Sequence, residues 1–413
     1  MTTRADAESR DAADPLARWR DEFIVPDHDL VYLDGNSLGR TPKRTLDALR
    51  RVVEREWAGD LITSWWDNEW LDLPLTVGDE LAPLLGARPG EVAVHDSTTV
   101  CLFQLVNVAI DLCRTRRRGD STRDSRRDSG RDVTRDSAPV VVAVEAGEFP
   151  TDRYVVDGIA RLRGGFDVPR VRVQTGIDDL EAVDVVVRSH VDYRTAAVSS
   201  LEDETARATA AGAVTVWDLS HAAGVLELDL DGAGVEFAAG CTYKFLNGGP
   251  GAPAFTYVRR ELHADVVQPI WGWFGQRDQF AMDNPFDARD GIGRLLNGTP
   301  GILGLTAARA GISLTAEAGI VAIAEKAAAL AHFAIDLADE RGLTCSTARP
   351  PLSSGGHVSI VHPDAVALQA ALAADGIIVD KRDPDVLRVG LSPLTTRYTD
   401  VHDALIRLST LVG

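Results

Sequence analysis

The sequence predicts an α/β protein: a mostly parallel central sheet flanked by helices in a large domain, followed by a smaller α+β domain. Three observations carry this. Valine-rich apolar runs of strand length alternate with helical stretches through the middle of the chain, the pattern of a sheet covered on both faces. Polar residues such as Ser189 and Asp218 close those runs, and open α/β sheets hold ligands at that carboxyl edge. An Ala-rich helical stretch from Thr299 to about Asp339 then leads into a tail with its own strands.

The elements follow in order. A first helix is expected over Asp14–Phe23, and VYLDGNSLGRTP then turns at Gly35, Asn36 and Gly39. A helix is expected from Lys43 to about Trp57, followed by the aromatic-rich ITSWWDNEW. The stretch VAVHDSTTVCLFQLVNVAIDL reads as strand, turn and apolar helix. Residues 114–137 carry nine Arg and five Asp in four-residue tetrads such as DSTR and DSRR. That period could pair charges along a helix. With Ser and Gly abundant and one apolar residue, it is expected to form a disordered low-complexity insert instead.

PVVVAVEAG, VDVVVRSHVDY, AVTVWDLSH, FAAGCTYKF and PAFTYVRREL are the next strand candidates. Thr299 as N-cap and Pro300 at the first helical position are expected to start the Ala-rich helix. SSGGHVSIVHP and VLRVGLSP are the strands of the tail, with helices between and after them. The expected division is 1–50, packing with the small domain; 51–298, the large domain; and 299–413, the small domain.

Composition narrows the function. The 413 residues carry 62 acidic and 43 basic side chains, a net charge of −19, which disfavours nonspecific binding to nucleic acid or anionic membrane. The start of the chain lacks the apolar core of a signal peptide, and no apolar run is long enough to span a bilayer. Cys101, Cys113, Cys241 and Cys345 are scattered, with neither zinc-site nor disulfide spacing, so no metal and a reducing cytoplasm are expected. Only four of the cations are lysines: Lys43, Lys244, Lys326 and Lys381. An amine can attack a carbonyl and a guanidinium cannot. Lys244 alone lies in a glycine-rich turn near strand-end polar groups; arginine is expected to replace the other three with little loss.

Asp218 at a strand end and Lys244 downstream form the pairing that a pyridoxal phosphate site needs. The amine holds the cofactor aldehyde, and the acid keeps the pyridine nitrogen protonated. The same two residues also suit a helix cap and an exposed turn. DSTTV sets Ser97, Thr98 and Thr99 before an apolar helix, where backbone N–H groups and hydroxyls suit a phosphate or simply cap the helix. Phe149, between a strand and a Pro turn, can stack on a planar ring.

The motifs LDGNSLG, DSTTV, EFPTDRY, DLSHAAG, YKFLNGGPG, GWFG and LNGTP occur in the order found in kynureninases, and the chain resembles that family. FPTD together with GWFG and LNGTP is the most specific part. The resemblance implies the fold type I architecture of pyridoxal-phosphate-dependent transferases, with Lys244 binding the cofactor. Asp218 would pair with the pyridine nitrogen, with His221 beside it. Phe149, in the turn with Pro150, Thr151 and Asp152, would stack on the ring. Thr98, Thr99 and Tyr243 would contact the phosphate, Tyr243 also relaying a proton, and Ser189 would line the pocket. Trp273 and Asn297 would arrive from the neighbouring subunit of a homodimer. Asn36, Ser37 and Trp65 would line the substrate side, and Arg388 would clamp the substrate carboxylate. The implied reaction is hydrolytic Cβ–Cγ cleavage of L-kynurenine, or of its 3-hydroxy form, to anthranilate (or 3-hydroxyanthranilate) and L-alanine, in tryptophan catabolism and NAD precursor synthesis.

The chain departs from the family at Phe245, where tyrosine is expected, and in the Arg/Asp insert. Two other readings stand beside this one. A cysteine desulfurase or aminotransferase of the same fold is one, and Cys345 is the tail's candidate for a reactive thiol. A non-catalytic regulator is the other, which the presence of Lys244 and Asp218 opposes.

Overall fold

The structure is a computed structural model that describes residues 2–25, 30–124, 138–164, 171–282, 285–349 and 354–413. The chain opens with helix α1 (Arg4–Ala12), whose Thr3 and Asp6 form a reciprocal capping box. The helix expected over Asp14–Phe23 is therefore corrected: that stretch holds only a short 3-10 segment, Ala17–Glu22. Pro15 has no N–H to give, and Asp14 turns its carboxylate onto the Leu16 N–H, 2.9 Å. Strand β1 (Val31–Leu33) follows, then helix α2 (Lys43–Arg51), continued by wider π-type turns over Val52–Asp60. Helices α3 (Ser64–Asp67) and α4 (Leu73–Leu81) complete the lead-in.

The central sheet contains β2 (Val92–His95), β3 (Val140–Val144), β4 (Val171–Thr175), β5 (Val185–Ser189), β6 (Val214–Asp218), β7 (Phe237–Gly240) and β8 (Ala254–Val258). Their order is β2-β8-β7-β6-β5-β3-β4. Only β8 runs antiparallel to its neighbours. Strands β2, β3, β6, β7 and β8 are buried along their whole length, which is why they read as mostly apolar runs without alternation. Helix α5 (Thr98–Asp124) covers one face through Leu102, Leu105 and Val106. Helix α4 covers the other face with Val77 and Leu81. Helices α6 (Pro150–Arg163) and α7 (Leu201–Ala210) are crossovers between parallel strands.

Helix α5 takes in residues 114–124, so the start of the Arg/Asp segment is helical and not loop; residues 125–137 lie outside the described residues. Its Arg116 reaches Glu236, 2.6 Å, and Arg117 pairs with Asp184, anchoring that turn to the sheet.

Helices α8 (Ile302–Ala318) and α9 (Ile320–Glu340) meet at 84° across Gly319, whose φ of 89° suits glycine. The helix start expected at Thr299-Pro300 thus falls later, with Gly301 as the cap. The second sheet is built from β1, β9 (His357–Val361), β10 (Ile377–Arg382) and β11 (Val386–Gly390), in the order β1-β10-β11-β9. Helices α1, α9, α10 (Ala365–Ala374) and α11 (Tyr398–Val412) pack on it through Ala7, Phe333, Leu337, Leu372 and Leu405. The N-terminal strand β1 pairs in parallel with β10, so the two ends of the chain share one sheet. Lys381 lies in β10, and Lys326 is buried in α9.

Candidate active site

Register sets the site. Asp218 ends β6 directly beside Ser189, the last residue of β5. After β7 the chain turns through Tyr243 and Lys244. The turn is tight: the Asn247 N–H donates to the Lys244 carbonyl and the Gly248 N–H to the Thr242 carbonyl, both 2.9 Å. The LDGNSLG loop rests on it, the Gly39 N–H donating to the Tyr243 carbonyl at 2.9 Å. A Cβ at Gly39 would stand 2.3 Å from the Lys244 carbonyl oxygen, so glycine is required there.

These elements enclose a cavity of about 210 Å3. Lys244, Tyr243, Asp218, His221 and Ser189 line its sheet side. Thr98 and Thr99, at the start of α5, and Phe149, Thr151 and Asp152, at the start of α6, line the rest. The Lys244 Nζ lies 3.0 Å from His221 Nε2. The Asp218 carboxylate accepts the Ser220 N–H at 2.7 Å. Burial pushes the Asp218 carboxyl above its ordinary range, while Ser220 and Lys244 pull it back. Asp152 is pushed up further, first by burial and then by the charges of Asp218 and Glu148. His221 is held well below its ordinary value by burial and by Lys244, so its imidazole is neutral. Burial also raises the Tyr243 hydroxyl, which keeps its proton.

The remaining expected residues stand elsewhere. Pro150 is the first residue of α6 and braces the turn without lining the cavity. Asn297 lines an adjoining cavity of about 370 Å3 and donates to Asp96 at 2.7 Å; Asp96 borders both cavities. Trp273 is 40% exposed, packing edge-on against Phe274 and Phe280. Trp65 is half-buried against Trp70 and Phe274, whereas Trp66 is exposed on Phe280. Asn36 is fully buried, with no partner for either side-chain atom among the described residues. Arg388 is also fully buried; its Nη2 donates to Ser37 Oγ at 3.3 Å and its Nη1 to the Tyr193 carbonyl at 2.8 Å. Tyr193 lines the cavity, so Arg388 stands one residue behind its wall.

Sequence reasoning missed Glu148 and Tyr193. The Glu148 carboxylate accepts the N–H groups of both Phe149 and Ser189 at 2.9 Å, which ties the stacking turn to the end of β5. Its place beside Phe149 in EFPTDRY was the available signal. Tyr193 meets Phe149 edge-on, ring centroids 5.3 Å apart, and nothing in the sequence marked it.

The cavity suits a phosphorylated pyridine aldehyde. Three buried carboxyl groups, Glu148, Asp152 and Asp218, stand near one another, the last two close to the Lys244 amine, and Asp152 Oδ1 has no partner among the described residues. A protonated ring nitrogen would balance that excess, and the N-terminus of α5 with its threonines would receive a phosphate. With the doubly covered parallel sheet, these features define a fold type I pyridoxal-phosphate-dependent enzyme, and pyridoxal 5′-phosphate is its cofactor.

Solved structures share the fold. A cysteine desulfurase from Thermococcus onnurineus NA1 superposes with a TM-score of 0.76 at 17% identity, covering 96% of this chain and 97% of that one. A C-DES variant with glycine covalently linked to its PLP cofactor gives 0.75 at 16% identity, covering 93% and 99%. Sequence relatives are more specific. The kynureninase of Pseudomonas fluorescens is 38% identical over 98% of this chain and 94% of its own length. That of Burkholderia pseudomallei (strain 1106a) is 37% identical over 100% and 96%. The profile of the kynureninase C-terminal domain matches residues 323–408. The chain belongs to the kynureninase family.

Proposed function

We propose that this enzyme is a hydrolase that splits the Cβ–Cγ bond of L-kynurenine, and of its 3-hydroxy form, with water. The products are anthranilate or 3-hydroxyanthranilate, and L-alanine. Similarity to kynureninases along essentially the whole chain carries the reading. The cavity supports it by gathering Lys244, Asp218, His221 and Phe149.

When bound, pyridoxal 5′-phosphate supplies an aldehyde for an amine and an electron sink for a carbanion. The chain's own groups do the rest. Lys244 Nζ would hold the aldehyde and, as the amine within the cavity, would be the base for the substrate Cα proton. Asp218 supplies the negative charge that keeps the ring nitrogen protonated. Neutral His221 offers a hydrogen bond beside it without adding charge. Phe149, held by Glu148, covers the ring, while Thr98 and Thr99 take the phosphate and Ser189 lines the pocket. Tyr243, which holds its proton at rest, would give it to Cβ as that carbon leaves the carbonyl carbon to which water has added, and would be reprotonated by the proton that this water sheds. Arg388 receives the substrate carboxylate, with Asn36 and Ser37 beside it.

The exposed, mutually packed rings of Trp66, Phe280 and Trp273 are the kind of patch that a second copy covers. We place Trp273, Asn297 and Trp65 at the shared sites of a homodimer. The domains proposed are 1–50 with the small sheet, 51–298 as the cofactor domain and 299–413 as the small domain. A cytoplasmic location and a place in tryptophan catabolism toward NAD precursors belong to the same reading.

The test is direct. Protein loaded with cofactor and given L-kynurenine should yield anthranilate fluorescence and alanine in equal amounts. Sulfide released from cysteine, with no anthranilate from kynurenine, would move the protein to the desulfurases that share its fold. Cys345 argues against that outcome: it is half-buried against the core of the small sheet and bridges to Ile360.

A further inference from the structure

We propose that Asp380 is the positioning residue of the substrate-carboxylate clamp, fixing which edge of Arg388 faces the cavity; this rests on the kynurenine reading. The two residues lie directly opposite each other on adjacent antiparallel strands, Asp380 on β10 and Arg388 on β11. Arg388 is fully buried, and a guanidinium out of water needs a carboxylate at contact. Its Nε donates to Asp380 Oδ2 at 2.7 Å, and its Nη2 donates to the same oxygen. That locks the Nε side of the planar fork against the sheet. Nη1 is left pointing the other way, onto the carbonyl of Tyr193, which lines the cavity.

A carboxylate recognised by two parallel N–H bonds needs one edge of the guanidinium presented squarely. A side chain free to rotate would offer that edge only part of the time. Asp380 removes this freedom and is itself held by Arg382, whose Nη2 lies 3.1 Å from the same Oδ2. The arrangement is two guanidiniums sharing the Asp380 carboxylate, with the Asp34 carboxyl close by on the Ser37 side.

The experiment uses Asp380→Asn in the cofactor-loaded enzyme, read by KM and kcat for kynurenine and by the inhibition constant of its decarboxylated analogue. KM should rise about tenfold or more with kcat within threefold, and the analogue's inhibition constant should stay unchanged. An unchanged KM, or equal weakening of both molecules, overturns the proposal. A lowered KM also overturns it, since Asp380 would then only quench the charge of Arg388. If Asp380→Asn does not fold, Asp380→Glu carries the same comparison: the carboxylate moves by one methylene, and kynurenine alone should bind more weakly. Failure of the wild-type enzyme to cleave kynurenine would sink the functional reading instead, so the two failures are distinct.

Discussion

Lys244 and Lys326 are both buried, 9% and 7% exposed, but their surroundings differ in kind. Lys326 Nζ meets Asp14 Oδ2 at 2.6 Å, and both side chains are equally hidden. Burial pulls the Lys326 amine down and Asp14 pulls it up, so the charge is answered at contact. Lys244 has the buried carboxyls of Asp152 and Asp218 in its neighbourhood, yet its hydrogen-bond partner is the neutral imidazole of His221. A structural amine is closed by an anion. A reactive amine is kept among anions but bound to a neutral acceptor, which it can leave to attack an aldehyde.

The largest effects should separate the two regions. Lys244→Ala is expected to lower kynurenine turnover by at least about a thousandfold, with the urea unfolding midpoint little changed. Lys326→Met should do the reverse. It strands the buried Asp14 carboxylate and should cost about 3 kcal/mol of stability in urea, with kcat of the folded enzyme within twofold of wild type. A stability loss at Lys244 as large as that at Lys326, with turnover retained, would erase the distinction. The expectation that arginine could stand in for Lys326 is tested by the same titration of Lys326→Arg, which must keep the contact with Asp14.

A smaller effect tests the acid sensitivity of the Lys244 side. His190 is buried edge-on against Trp217, and its pKa is lowered to about 4 by burial first and then by Arg188. The fold therefore favours the neutral ring. That stability is fully present above pH 6.5 and is lost as pH falls toward about 4. Between pH 7 and pH 4, wild type should lose about 2 kcal/mol more than His190→Gln in paired urea titrations. Parallel losses in the two proteins would place the acid-sensitive group elsewhere.

The sequence showed what is buried on both faces or aligned at a strand end. Strands β3, β6 and β8 are mostly apolar runs, and Ser189, Asp218 and the turn at Lys244 follow such runs, so most of the cavity wall was legible. Strands with exposed or charged residues, and cross-sheet partners, were not. Strand β4 is half-exposed and β10 carries Asp380, Lys381 and Arg382, so neither reads as apolar. The charges of β10 are tolerated because they pair, Lys381 with Asp383 and Asp380 with Arg388. Asp14 and Lys326 lie 312 positions apart, and no local pattern joins them. The helical start of the Arg/Asp segment was hidden for another reason: Arg116 and Arg117 find acids just before β7 and β5, far away in sequence.

The smallest prediction lies where the two lysine regions touch. Phe245 follows Lys244 and packs with Val225 and with Ala327, the neighbour of Lys326 on α9. Its ring tip faces Gly356, where an added Cβ would stand 2.5 Å from Phe245 Cζ. The family resemblance led to the expectation of tyrosine here, yet a hydroxyl on that tip would meet glycine backbone and an apolar cluster. Phe245→Tyr should therefore cost about 1 kcal/mol in urea through overpacking and an ill-placed hydroxyl, with kcat and KM within twofold. A large fall in kcat at unchanged stability would mean that Phe245 transmits strain from α9 to the lysine turn. A gain in stability would mean that the hydroxyl finds an acceptor and that phenylalanine is the poorer fit.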